Sequence, residues 1–207
     1  MMIGGFMIKN IVFDIGGVLA DYRIKEFLAE KGFDGPMIKR ILKASLMSPY
    51  WGRFERGEVT EEETLKGFAE ADPDIEKELR AAYADLSGML VMKEFAIDLV
   101  KSLKDSGYAV FYLSNYSRKA YDECAESLAF MPFMDGGVVS FKVGLTKPDP
   151  AMFQKLLSIY DLKPEECLFI DDTPENVEAA TDLGFQGHIF QSYEQLIRSL
   201  QEAGIKL

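Results

Sequence analysis

Two kinds of apolar spacing alternate along the chain and divide it. Short unbroken runs, Ile11-Val12-Phe13, Tyr108 to Leu113, Gly137 to Phe141, Cys167 to Ile170 and His188 to Phe190, read as five strands, the first buried on both faces as in a parallel sheet covered by helices. Helical spacing predicts helices at Lys93 to Ser106, closed by Gly107, at Arg118 to Ala129, through Met152, Phe153, Leu156 and Leu157, and at Tyr193 to Ala203. From Tyr22 to about Val91 the strand-like runs stop. Phe27, Leu28 and Phe33, then Ile38, Ile41, Leu42 and Leu46, then Leu65 and Phe68, then Ile75 and Leu79 recur at helical intervals among many charges. Thr60-Glu61-Glu62-Glu63 predicts a capping box and Asp72-Pro73-Asp74 the start of the next helix. The pattern predicts an α/β core from residues 1–21 and 92–207, interrupted by a small α-helical module at 22–91.

Composition narrows the partners. With 207 residues, 48% of them hydrophobic, the chain buries a sizeable core, and its net charge of −11 disfavours nucleic acid and anionic membrane surfaces. A divalent cation suits it better. Cys124 and Cys167 stand far apart with no metal-ligand spacing, so two free buried thiols in a reducing compartment, the cytoplasm, are expected. The apolar stretch from Met1 to Ile8 is short, lacks a basic region and a cleavage site, and is expected to be neither signal peptide nor membrane span.

Candidate chemistry collects where the strand-like runs end. The first run ends on Asp14-Ile15-Gly16-Gly17, a carboxylate followed by glycines whose backbone can approach a ligand and whose amide hydrogens can meet an anion. The second ends on Ser114-Asn115, able to cradle phosphate oxygens, although any Ser-Asn turn reads the same way. Lys147-Pro148-Asp149-Pro150 puts a lysine near the ligand edge, or merely on the surface before a turn. The fourth run ends on Asp171-Asp172, with Asn176 one turn into the following helix. Adjacent carboxylates repel unless a cation such as magnesium neutralises them; an N-terminal helix cap formed by Asp172 is the competing reading. Within the helical module, Ser48 to Gly57 holds the only tryptophan, Trp51, with Arg53 and Arg56, which suits either a lid over a phosphorylated ligand or simple aromatic packing. His188, the only histidine, sits among apolar neighbours and is expected to be structural.

These four strand-end signals, in this order, resemble the haloacid dehalogenase superfamily from Lys9 to Gln201. The resemblance implies a Rossmann-like core with strand order 5-4-1-2-3 and a helical cap inserted after the first strand. It implies Asp14 as the nucleophile that takes a phosphoryl group, Ser114 and the Asn115 backbone, with Gly17, binding its oxygens, and Lys147 neutralising charge and orienting Asp14. It further implies magnesium held by Asp14, the Gly16 carbonyl and Asp172, with Asp171 and Asn176 behind them. A dehalogenase is the rival on the same fold, but those enzymes work without metal and lack an acidic pair like Asp171-Asp172. One departure stands out: most phosphatases of this superfamily carry a second aspartate, the general acid and base, where this chain has Gly16. The Asp-x-Gly-Gly-Val pattern is similar to bacterial glucose-1-phosphatase-like members and to the N-terminal phosphatase domain of soluble epoxide hydrolases. A phosphorylated metabolite is therefore expected as substrate, first an anomeric sugar phosphate, whose leaving group needs little protonation. Asp21, Arg53 or another residue of the cap is left to supply a proton. A degenerate member that only binds a phosphometabolite or a protein is the alternative.

Overall fold

Strand β1 (Asn10–Phe13) is buried along its whole length, and a computed structural model, which describes residues 7–207, places it at the centre of a parallel sheet. Of the apolar stretch at residues 1–8, residues 1–6 lie outside that range. Strand β2 (Ala20–Tyr22) follows, then helices α1 (Ile24–Glu30), α2 (Gly35–Leu46), α3 (Pro49–Glu55), α4 (Glu61–Ala71) and α5 (Glu76–Tyr83). The chain returns through β3 (Leu90–Met92), α6 (Ala96–Asp105), β4 (Ala109–Ser114), α7 (Arg118–Glu123), β5 (Gly136–Val139) and α8 (Ser140–Val143). It ends with α9 (Pro150–Tyr160), β6 (Cys167–Asp171), α10 (Pro174–Asp182), β7 (Gln186–Ile189) and α11 (Tyr193–Glu202). The large sheet runs β5-β4-β1-β6-β7, which is the order expected from the resemblance when the five strand-like runs are numbered along the chain. Among the described residues no helix is long and apolar enough to cross a membrane.

Period-two alternation sorts the side chains of β1 onto two faces. Ile11 and Phe13 join a cluster with Leu99, Leu103, Leu196 and Leu200 of α6 and α11. Val12 faces Phe111, Phe169, Met152, Phe153 and Ala180, where α9 and α10 cover the other side. The result is three layers, helices on both faces of a parallel sheet.

Strands β2 and β3 pair antiparallel, Ala20 opposite Met92 and Tyr22 opposite Leu90, so the chain leaves for the five helices and returns along one two-stranded ribbon. The helices pack around Phe68, which is fully buried, stacks on Trp51 at 6.2 Å and tilts against Tyr83 at 5.3 Å. The Tyr83 hydroxyl donates to Ser45 Oγ at 2.7 Å, and Ser45 donates in turn to the Ile41 carbonyl, so the polar tips are satisfied inside the bundle. Thr60 and Glu63 form the expected capping box at the start of α4.

Several boundaries differ from the sequence pattern, among them the last strand, which spans Gln186–Ile189 rather than His188 to Phe190, and α5, which begins at Glu76 after a 3₁₀ turn at Pro73–Ile75. Ser140 and Phe141 belong to α8 rather than to the third strand, because the Ser140 hydroxyl turns inward to satisfy backbone groups at Tyr116 and Glu55. The helix from Arg118 ends at Glu123; Cys124 leaves helical geometry with its thiol on the Leu86 carbonyl, and Ala125–Leu128 continues as a 3₁₀ turn. Helix α6 begins at Ala96, since the Lys93 amide donates to the Leu19 carbonyl alongside the ribbon. His188 pairs its Nε2 with Gln195 Oε1 at 3.1 Å, tying β7 to α11.

Phe68→Ala is expected to destabilise the protein by about 3–5 kcal/mol, because a fully buried ring at the centre of five short helices leaves a cavity they cannot close. Urea denaturation of the variant beside the wild type checks it.

Candidate active site

Register brings the strand-end residues together. Phe13 lies opposite Ile170 on one side and Tyr112 on the other, so Asp14 emerges beside Asp171, with Ser114 at the end of β4. Into this corner comes Lys147 from the loop before α9, its Nζ 2.8 Å from Asp14 Oδ1 and 2.6 Å from Asp171 Oδ2. The lysine is buried, which excludes the surface reading. Burial alone would push its ammonium down, but Asp14 and Asp171 outweigh burial and hold it above the usual lysine range.

Each member is held by neighbours. Asn115 grips the backbone of Lys147 at two points: its Oδ1 accepts from the Lys147 amide at 2.8 Å, and its Nδ2 donates to the Lys147 carbonyl at 3.0 Å. Asp171 accepts from Lys147, from the Thr173 amide at 2.8 Å and from Asn176 Nδ2 at 3.1 and 3.0 Å, so its oxygens are saturated. Burial raises the Asp14 carboxyl to about 6, with Asp171 adding to the shift while Lys147 and the Ser114 hydroxyl oppose it. Asp172 stands at the exposed rim, where partial desolvation on its cavity side and the neighbouring Asp171 charge raise its carboxyl above the usual range.

The carboxylates of Asp14, Asp171 and Asp172 each present an oxygen within 4.8 Å of the others. Asp172 does not cap α10: Thr173 occupies the cap position without a side-chain bond, and Asp171 receives the Thr173 amide. The competing cap reading therefore fails, and the acidic cluster is left with the chemistry of a hard divalent-cation site, with Asp14 and Asp172 its least committed members. Gly17 lies at φ +79°, and a Cβ there would sit 2.1 Å from Asp172 Oδ2. Its amide is not free to meet an anion, contrary to expectation, because it donates to the Ala20 carbonyl at 2.8 Å and closes the turn. At Gly16 a Cβ would meet nothing within 4 Å, so space does not demand glycine there.

All these groups except Asp171 line one cavity of about 540 Å³. Its far walls are largely apolar, with Trp51, Phe54, Tyr83, Leu86, Met89 and Leu90. Trp51 thus both packs on Phe68, as the aromatic-packing reading expects, and faces the cavity, while neither arginine of its stretch lines it. Arg53 stays outside, over the Tyr50 ring. Asp21 reaches the lining but is ion-paired with Lys93. Glu55, which the sequence reading did not single out, also lines the cavity; its one signal was its place in the stretch with Trp51, a turn away. Tyr116, likewise unanticipated, lines it with a buried hydroxyl that has no hydrogen-bond partner among the described residues.

The fold and this corner of acids and lysine define a hydrolase of the haloacid dehalogenase type, and a family model confirms it. Residues 8–184 match the model described as haloacid dehalogenase-like hydrolase, and the chain belongs to that family. It is 27% identical over 180 residues to flavin mononucleotide hydrolase 1 of Arabidopsis thaliana, covering 84% of this chain and 70% of that protein. It is 26% identical over 189 residues to D-ribitol-5-phosphate phosphatase of Bacteroides thetaiotaomicron, covering 87% of this chain and 90% of that protein. The structure of a HAD-like family hydrolase from Porphyromonas gingivalis superposes with a TM-score of 0.72 at 26% identity, over 97% of this chain and all of that one. Some curated relatives are much longer than the matched region, the chain spanning 36% of one and 19% of another.

Gly17→Ala is expected to lower stability by more than about 1 kcal/mol, since alanine meets both a positive φ and the Asp172 carboxylate. Chemical denaturation, with Gly16→Ala as the tolerated neighbour, provides the comparison.

Proposed function

We propose that the chain is a magnesium-dependent phosphatase acting on a small phosphorylated metabolite through a phosphoryl group carried transiently on Asp14. The observation that supports it best is the Lys147 ammonium fixed between Asp14 and Asp171 at the strand ends. A carboxylate attacking a phosphate dianion meets like charge, and a preorganised cation beside it lowers that barrier. Asp14 is the nucleophile and Lys147 orients it while neutralising phosphoryl oxygens. Ser114 and the Asn115 backbone bind those oxygens, and Gly17 contributes by letting the chain turn closely around them. Asp14, the Gly16 carbonyl and Asp172 would hold magnesium, with Asp171 and Asn176 supporting from behind; bound there it supplies positive charge to the phosphoryl group. In this reading residues 22–91 act as the cap over a core of residues 1–21 and 92–207. The acidic trio argues against a dehalogenase, and an intact Asp14–Lys147 pair argues against a mere binder.

Two substrate readings divide on particular observations. A glycine at position 16, which offers no carboxyl, favours an ester whose leaving group needs little protonation, as in an anomeric sugar phosphate. The apolar and aromatic walls favour an ester of a larger apolar or aromatic group. The flavin mononucleotide hydrolase relative stands with the second reading, and the ribitol phosphatase relative with neither, since ribitol 5-phosphate is an open-chain alkyl ester rather than an anomeric one. The net charge of −11 gives nucleic acid or anionic membrane no footing as partner, and two buried free thiols, Cys124 and Cys167, suit the cytoplasm.

Magnesium-dependent hydrolysis of 4-nitrophenyl phosphate is expected, and Asp14→Asn should abolish it without unfolding the chain. Lys147→Ala should lower turnover roughly 100- to 1,000-fold, the scale of losing one preorganised donor, whereas Lys155→Ala, on the exposed side of α9, should change it little. Similar small effects at Lys147 and Lys155 would remove the lysine from the site. Substrate choice is read from a panel holding glucose 1-phosphate, ribitol 5-phosphate and flavin mononucleotide.

A further inference from the structure

The Gly16 departure leaves a specific gap. Ordinary alkyl phosphates expel a strongly basic oxygen, and a positioned proton donor accelerates that step by about 100- to 10,000-fold. Space beside Gly16 is open, so a donor can reach in from another element. Of the acids that line the cavity, Asp14, Asp21 and Asp172 are already engaged as nucleophile, partner of Lys93 and cation ligand. Tyr83 and Tyr116 are made still weaker acids by burial, and Tyr22, exposed on β2, is a weak acid by nature. Glu55 remains.

We infer that Glu55, on the last turn of α3, donates the proton to the leaving oxygen and then accepts one from the attacking water, an inference that rests on the phosphatase reading above. The geometry carries it in three ways. Glu55 faces the same cavity as Asp14, Ser114, Lys147 and Asp172 although it comes from the helical module. Its backbone is pinned to the core: Ser140 Oγ donates to the Glu55 carbonyl at 2.6 Å and accepts from the Tyr116 amide at 2.7 Å, two residues beyond Ser114. Close packing just beyond it, where a Cβ on Gly57 would lie 3.0 Å from the Phe141 carbonyl, keeps that end of α3 seated.

The carboxyl is also left without a counter-ion. Both flanking arginines turn to Glu58, Arg56 at 2.6 Å and Arg53 at 3.7 Å, and among the described residues Glu55 makes no ion pair. Burial raises it to about 7, with the Trp51 indole and Lys147 opposing and Asp14 adding. The titratable and charged groups acting on it are Asp14, Lys147 and Tyr22 across the cavity and Arg56 on its own turn.

The two steps balance. Asp14 Oδ attacks phosphorus, the ester P–O bond breaks, and the departing oxygen takes the Glu55 proton. The Glu55 carboxylate then removes a proton from water as its oxygen attacks phosphorus; the bond to Asp14 breaks, its electron pair returns to the carboxylate, and phosphate leaves with Glu55 protonated again.

Benzyl phosphate and 4-nitrophenyl phosphate, with magnesium, separate the possibilities, since they share a ring and differ in the basicity of the leaving oxygen. In Glu55→Gln, kcat/KM should fall about 100-fold or more on benzyl phosphate and less than about tenfold on 4-nitrophenyl phosphate. Rapid quench should show a burst and phosphate retained on Asp14, because the second step has lost its base. Wild-type kcat/KM on benzyl phosphate should decline as pH rises through about 7, where Glu55 loses its proton, and the variant should lack that limb. Should Gln fail to fold by circular dichroism, Glu55→Asp, with its carboxyl drawn back by one methylene, should show the same selective loss. Equal losses on both esters, or none, in a folded variant overturn the role of Glu55 while leaving Asp14 its own. Absence of magnesium-dependent hydrolysis by the wild type overturns the phosphatase reading and this inference with it.

Discussion

A lysine ammonium buried between two carboxylates is the interaction on which the rest of this structure depends. Removing one partner from such a pair costs about 3–5 kcal/mol, because the other charge is left stranded. The surrounding residues are arranged against that outcome. Asn115 fixes the lysine backbone, Asn176 and the Thr173 amide saturate Asp171, and the parallel register of β1 and β6 keeps Asp14 and Asp171 adjacent. Asp14, Asp171 and Asp172, with one ammonium among them, leave two negative charges when all are ionised, which is the charge a divalent cation cancels. Core packing, loop geometry and electrostatics therefore converge on one corner of the sheet.

The parts of this arrangement that could be read from the chain are those written in local pattern. Ile11 to Phe13 and Cys167 to Ile170 announce buried strands, and the acids that follow them fall at the strand ends. Sheet order is not local; it came from the resemblance carried by Asp14, Ser114, Lys147 and Asp171-Asp172 together. What escaped depends on partners far apart in sequence. The Asn115 side chain serves Lys147, 32 residues away, and Ser140 reaches 85 residues back to Glu55. A serine after two valines reads as the continuation of a strand, and only the backbone groups waiting at Tyr116 and Glu55 make it the start of a helix. Glu55 carries no signal of its own in the sequence, since nothing in its neighbours' identities says that both arginines pair with Glu58.

The antiparallel ribbon of β2 and β3 has a consequence for how such chains diversify. Because Ala20 and Met92 are opposite one another, everything between them is a closed excursion that begins and ends at nearly the same point in space. Exchanging that excursion for another would leave Asp14, Ser114, Lys147 and Asp172 undisturbed, for none lies inside it. Yet it would replace Trp51, Phe54 and Tyr83 together with Glu55. Ligand preference and proton handling would then be inherited as one cassette, and a lineage could tolerate a bare glycine beside its nucleophile only as long as it kept the insert that compensates for it.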